Sequence, residues 1–202
     1  MTTKERILYS ALQLFSERGY AGVSMRELAA KVGIKAASLY NHFSSKEEIF
    51  NHLLEEMQHR YEQTVIRIPI PSGSSEEAAK QYVGITEEHL QQIAGGLFQY
   101  FAKDEFAAPF RKMISSEQYH HSIAGDAFRQ IFIHGALEYQ ANLFKTLMEL
   151  GEFIDADPKI VAIQFYAPIF LLLESYDETQ ESDTMETLKK HVSQFSKIYG
   201  RR

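Results

Sequence analysis

The stretch SMRELAAKVGIKAASLYNHFSSKEEIF, residues 24–50, decides how this chain is read. It opens with Ser24, followed three residues later by Glu27. At that spacing each side chain reaches the other's backbone N–H, and a helix starts. Leu28 and Val32 then share one face, Ala29 is small where a second helix would cross, and Gly33 supplies the turn. Beyond it, Ile34, Leu39 and Phe43 return to the same core. Inward Leu28, Val32, Ile34 and Leu39 about a glycine turn have the arithmetic of a helix-turn-helix. The second of these helices carries Ala36, Ala37 and Ser38 where a core helix would carry bulk. Something has to approach its small side.

The major groove of a DNA duplex is such a partner. A helix entering it must bring its backbone near the base edges, and small side chains at Ala36, Ala37 and Ser38 permit that approach. On this reading Asn41 and Lys35 read bases or fix register, and Ser24 offers both a helix cap and a phosphate contact. The charge distribution agrees. The chain carries −6 overall, yet residues 1–46 hold seven Lys or Arg against three Glu, a surplus of +4 that leaves −10 for the remainder. A basic end on an acidic body points to a polyanion partner at one end only. The plain alternatives are that Tyr40 and His42 are ordinary half-buried residues of a small helical unit, and that Lys46 before Glu47 and Glu48 is a solvated helix start.

Outward from this stretch, every long periodic segment has the helical period, so the expected fold is all-α. A first helix spans about Thr3 to Arg18, with Ile7, Leu8, Ala11, Leu14 and Phe15 on one stripe and Gly19 as its stop. The second runs from Met25 to Val32, the third carries Leu39 and Phe43, and the fourth opens at Ser45 and ends near Thr64. Further helices are expected at 76–103, 105–117, 123–150, 158–180 and 184–199, the first of them open to a break near Gly84. Capping pairs recur at Thr2 and Glu5, Ser24 and Glu27, Ser45 and Glu48, Ser74 and Glu77, and Asp183 and Glu186. Asp157 before Pro158 reads as another helix start, and Pro168 as a kink. RIPIPSGSSEE from Arg67, with Pro69 and Pro71, is the clearest break.

The first fifty residues resemble the DNA-binding region of the TetR family of bacterial transcriptional regulators. The likeness is carried by Phe15 and Gly19-Tyr20 after the first helix, Ser24, the Ala29 to Gly33 spacing, Leu39-Tyr40 with His42-Phe43, and Lys46-Glu47. A weaker likeness, GEFIDADPKIVAIQFYAPIFLLLE from Gly151, looks like the family's entry into its eighth helix. The resemblance implies a DNA-binding domain at 1–48 and a ligand-binding and dimerisation domain at 49–202. It implies that Tyr40, His42 and Lys46 hydrogen-bond phosphates. One departure stands out: the family usually has Ser or Thr where Lys35 stands, and lysine cannot accept the orphan N–H bonds of a helix start.

A body of this size exceeds what DNA binding needs. One helix-turn-helix makes few contacts, so a two-fold dimer presenting two heads roughly 34–36 Å apart, or a multiple of it, is expected. The family pairs its last two helices in a four-helix bundle, which here implies Ile169, Phe170, Leu173, Leu188, Val192, Phe195 and Tyr199 as the interface. Aromatic density on the middle helices, together with the family's enclosed cavity, implies Phe98, Phe101, Phe128, Phe132, Tyr139, Phe165 and Tyr166 as lining for a small-molecule effector. Such stripes are also what an ordinary core looks like, and Gly95-Gly96 fits close helix packing as well as a cavity wall.

Other chemistries find little support. With no cysteine in the sequence, disulfides, thiolate metal sites and thiol nucleophiles are excluded, which suits a reducing cytoplasm. His120 and His121 are adjacent, so on a helix they point about 100° apart and share one metal poorly. No nucleophile, phosphate-cradling glycine loop or paired-acid arrangement stands out, the N-terminus does not read as a signal peptide, and neither cofactor nor metal is called for. The expectation is a homodimeric, cytoplasmic, ligand-responsive repressor acting at a palindromic double-stranded DNA operator, with no membrane role. The rivals are an architectural DNA-binding protein without effector and a helical carrier with a vestigial DNA-binding unit.

Overall fold

Capping determines where the first helices begin. In the computed structural model, which describes residues 1–67 and 73–201 and the side chains of all these but 65–67, Thr2 and Ser24 each form a complete capping box with Glu5 and Glu27. Helix α1 spans Thr3–Arg18, α2 Met25–Val32, α3 Ala36–Tyr40 and α4 Lys46–Arg67. Gly33 closes α2 in the left-handed region, at φ 78°. Its N–H donates to Ala30 O and that of Ile34 to Ala29 O, so the last carbonyls of α2 are satisfied within the turn. The Arg6 guanidinium takes up Val32 O as well, at 2.6 Å. The α4 start differs in detail from the expected pair: Ser45 Oγ accepts from Glu48 N–H, but the Glu48 carboxylate turns to the N–H and hydroxyl of Ser44.

The remaining helices are α5 Ser75–Tyr82, α6 Glu87–Lys103, α7 Ala107–Glu117, α8 Ser122–Phe128, α9 Gly135–Glu149, α10 Pro158–Glu174 and α11 Glu181–Tyr199. A π-helical segment, Arg129–His134, joins α8 to α9, and a short 3₁₀ turn, Glu178–Gln180, precedes α11. Three expected helices are therefore shorter or divided. The 76–103 helix breaks at Gly84, which adopts φ 72°. The 123–150 helix changes to π geometry in its middle. The 158–180 helix ends at Glu174, where Ser175 returns its hydroxyl to Leu171 O. Asp183 does not cap α11. Asp177 holds the N–H and hydroxyl of Thr179 and starts the helical path earlier, which leaves Asp183 in the first turn, where the helix dipole favours a carboxylate. Asp157 caps α10 as expected, and α10 continues through Pro168. The break expected at Pro69 and Pro71 lies outside the described residues.

The chain forms two compact units. The first combines Met1–Gln63 with Lys103–Phe128, and so reaches beyond the 1–48 boundary expected from the sequence. The physical reason is shared burial. Ile49, Phe50, Leu53 and Met57 of α4 and Phe110, Met113 and Ile114 of α7 are buried with Phe15, Leu28, Leu39 and Phe43. Each such side chain contributes roughly 1.5–3 kcal/mol by leaving water.

The second unit, Thr64–Ala102 with Arg129–Arg202, has its main cluster around Ala78, Ala79, Leu143, Phe144, Leu147, Val161, Ala162 and Phe195. Small alanines on α5 and α10 let the helices come close. Gly95 of α6 does the same against Met185, whose Cε lies 3.2 Å from where a Cβ would stand, so this glycine serves packing.

The residues expected at a dimer interface divide accordingly. Leu173, Leu188, Val192 and Phe195 are buried within their own chain and belong to its core. Ile169, Phe170 and Tyr199 are half-buried, the Tyr199 hydroxyl donating to Gln164. Helix α10 is apolar on its inward and outward faces alike, whereas the outward face of α11 is polar apart from Ile198 near its end. The outward apolar residues are Ile160, Ile163 and Leu171 with Ile198 of α11, Leu171 being 67% exposed.

Candidate nucleic-acid interface

Helix α3 is short because it is anchored at few points. Lys35 takes the N-cap position with no side-chain hydrogen bond, as its chemistry requires, and Leu39 and Phe43 pin the segment to the core. Everything else looks outward: Lys35, Ala37, Tyr40, Asn41 and His42 are exposed, with Ala36 and Ser38 at the edge of that face. Tyr40 is 52% exposed. Of the nine expected DNA-contact residues, all on one unit, six are exposed, counting Ser24 at the α2 start, and Ala36 and Ser38 are half-buried beside them.

Lys46 is the ninth, and it is placed differently from the expected phosphate contact. Its ammonium is half-buried and donates to Tyr20 O at 2.6 Å and Val23 O at 2.8 Å, while lying 4.2 Å from the centre of the Tyr20 ring. Burial holds its pKa below the usual lysine range. Two of its three donors are used inside the fold. The Ser24 hydroxyl is also engaged, accepting from Glu27 N–H at 3.3 Å and donating to the Glu27 carboxylate at 2.8 Å.

These bonds belong to a loop, residues 19–24, gripped from several helices at once. Arg18 reaches Gly22 O at 3.0 Å and Glu27 at 2.6 Å. The Arg18 guanidinium beside Glu27, joined by Ser24, lowers the Glu27 carboxyl to about 2. The Tyr20 ring meets Phe15, Phe50 and His121 edge-on, at centroid distances of 5.3, 5.4 and 4.6 Å. Burial, then Glu47 and Glu117, push its hydroxyl above the usual tyrosine range. Glu117, the last residue of α7, is only 8% exposed and accepts from Tyr20 N–H at 2.9 Å. Sequence reasoning passed over Glu117 because its partner lies 97 positions away and no local pattern marks the pair.

The residues expected to line an effector site are drawn from both units. Phe128 ends α8 in the first unit. In the second unit Phe101 meets Phe132 edge-on at 5.2 Å and Phe98 meets Tyr176 at 5.8 Å. Phe165 instead joins the core, 4.7 Å from Phe195 and 5.5 Å from Phe144, its carbonyl in reach of His191 Nε2. Tyr166 stacks on Phe170 and Tyr139 is exposed. One polar group of the second unit stands out. Gln140 of α9 keeps a buried Oε1 without a hydrogen-bond partner among the described residues, a position that calls for a reason.

A compact head whose α2, glycine turn and α3 expose a small and polar face is a helix-turn-helix head on an all-α body. Residues 7–53 match the family model described as bacterial regulatory proteins, tetR family. Over these residues the chain is similar to the DNA-binding region of that family.

Among curated proteins, the biofilm operon icaADBC HTH-type negative transcriptional regulator IcaR of Staphylococcus epidermidis is 44% identical over 52 residues, 26% of this chain and 28% of that protein. IcaR of Staphylococcus aureus (strain NCTC 8325 / PS 47) is 49% identical over 47 residues, 23% of this chain and 25% of its own. The match therefore spans about a quarter of these relatives' length. Solved structures extend the fold over the whole chain. A transcriptional regulator from Saccharomonospora viridis in complex with choline has TM-score 0.67 at 19% identity, covering 98% of both chains. SmeT, the repressor of the Stenotrophomonas maltophilia multidrug efflux pump SmeDEF, has TM-score 0.63 at 21% identity, covering 100% of this chain and 92% of its own. AibR in complex with isovaleryl coenzyme A and operator DNA has TM-score 0.65 at 16% identity, covering 98% of both. Among the described residues no helix is long and apolar enough to cross a membrane.

Proposed function

We propose that this chain is a cytoplasmic, homodimeric, sequence-specific DNA-binding regulator, a repressor released from a palindromic operator by a small molecule, and not an enzyme. The observation that carries this is the exposed face of α3, with small residues at its centre and Tyr40, Asn41 and His42 at its end. Ala36, Ala37 and Ser38 let the backbone approach base edges, Lys35 and Asn41 read them, and Tyr40 and His42 meet phosphates.

Dimerisation is supported by the exposed Ile160, Ile163 and Leu171 of α10 and Ile198 of α11, large apolar groups that a second copy would cover. Release by an effector is supported by the ligand complexes of proteins with this fold and by the aromatic pairs of the second unit, in which the buried Gln140 oxygen on α9 also offers an acceptor to a ligand with a hydrogen-bond donor. The effector acts by binding one of two states more tightly, and coupling of about 1–3 kcal/mol is typical.

The test is selection of bound duplexes from a randomised library by the purified protein at two salt concentrations. Enrichment of a palindrome is expected. Salt-sensitive binding without an enriched sequence would replace the regulator with an architectural protein, and no binding at either salt would leave a carrier.

A further inference from the structure

Glu117 is costly where it stands. It closes α7, at the end of a helix where the backbone dipole disfavours a carboxylate, and it is almost fully buried. What it does there is accept the Tyr20 N–H. The opposite edge of the same residue is taken by Lys46, which holds Tyr20 O from α4. One residue of the α1–α2 loop is thus held by an anion on its N–H and a cation on its carbonyl, from two different helices. Gly19 makes the approach possible. At φ 76° and without a side chain it lets the carboxylate in, whereas a Cβ would stand 2.8 Å from Glu117 Oε1. The loop leads directly into Ser24 and α2, so its conformation sets where α2 and α3 point.

We infer that Glu117 is a positioning residue for DNA binding: by holding the Tyr20 N–H it fixes the α1–α2 loop, and with it the orientation in which α2 and α3 meet a duplex. This rests on the DNA-binding reading above. Glu117 touches no DNA. It raises the fraction of heads already in the binding conformation, and apparent affinity scales with that fraction. Along the chain α7 stands between two stretches of the second unit, 64–102 and 129–202, so the tie makes the α1–α2 loop answerable to helix α7 as well as to α4.

The experiment uses the full chain and the duplex that the wild type enriches from a random library. Affinity is measured across a salt series for Glu117→Ala and Glu117→Gln, with thermal melting and hydrogen exchange of the Tyr20 amide followed in the free protein. Removing the acceptor from a buried N–H should free the Tyr20 amide to exchange and lower affinity about tenfold. The salt slope should stay unchanged, because no phosphate contact is lost. Glu117→Gln, which still offers an oxygen, should restore both protection and affinity. Wild-type affinity in a folded Glu117→Ala overturns the inference, as does Glu117→Gln behaving like Glu117→Ala. Should Glu117→Ala fail to fold, Glu117→Asp, whose acceptor is drawn back by one methylene, takes its place in the same comparison. Absence of any enriched duplex would be a separate failure, that of the DNA-binding reading itself, and would remove the inference with it.

Discussion

Ala37 sits at the centre of the exposed face of α3 and makes no contribution to the core. Ala37→Glu should therefore leave melting within about 0.5 kcal/mol of wild type, as surface substitutions do, while abolishing binding to the selected duplex by adding bulk and a negative charge where the backbone must come close. Lys46 predicts the reverse pattern. Its donors serve Tyr20 O and Val23 O, so Lys46→Met should lower stability by about 1 kcal/mol per lost bond and leave the salt dependence of DNA binding unchanged. A phosphate contact would instead reduce the salt slope by about one. Tyr40→Phe with His42→Ala should instead weaken binding to every duplex alike, because phosphate hydrogen bonds carry no sequence information. Glu27 adds a pH dependence whose sign follows from its lowered carboxyl. The folded group ionises near 2, below the ordinary value of 4.5, so its contribution is complete above 4.5 and lost as pH falls from there toward 2. Acid melting of wild type and Glu27→Gln should converge across that window.

At the scale of elements, most of the fold was legible because the signals were local. The capping boxes at Thr2, Ser24 and Ser74, the Asp157-Pro158 start and the Gly33 turn lie where the residue spacing puts them. The exposed face of α3 was legible for the same reason, since α2 and α3 are built from neighbours in sequence. Three things escaped. Leu188 and Val192 lie on the single apolar stripe of α11, and periodicity marks such a stripe as buried without saying whether its own chain or a second copy covers it. Glu117 and Lys46 act on a loop distant in sequence. The π segment Arg129–His134 has no spacing signature, though a physical trace exists in Gly135. A Cβ there would meet Gln130 O at 2.4 Å, the carbonyl five residues back. Gly135→Ala should consequently expel the π turn or strain it, lowering the melting temperature of the second unit where an ordinary mid-helix Gly→Ala would raise stability by about 1 kcal/mol. Differential scanning calorimetry distinguishes the two signs.

At the scale of the whole molecule, the exposed apolar residues of α10 and α11 carry the proposed dimer. Ile163→Glu with Leu171→Glu should yield a monomer in sedimentation that melts near the wild-type temperature of the isolated chain and binds a single half-site weakly, because the paired heads are lost while α3 is untouched. The composition of the first unit bears on how the protein is made. Its core is closed by α7 and α8, which are synthesised only after all of residues 64–102. Until then α1 and α4 lack Phe110, Met113 and Ile114, and Tyr20 lacks Glu117 and His121. The nascent head must wait with apolar surface uncovered, and grafting residues 1–63 alone onto another protein would transplant an unfinished fold.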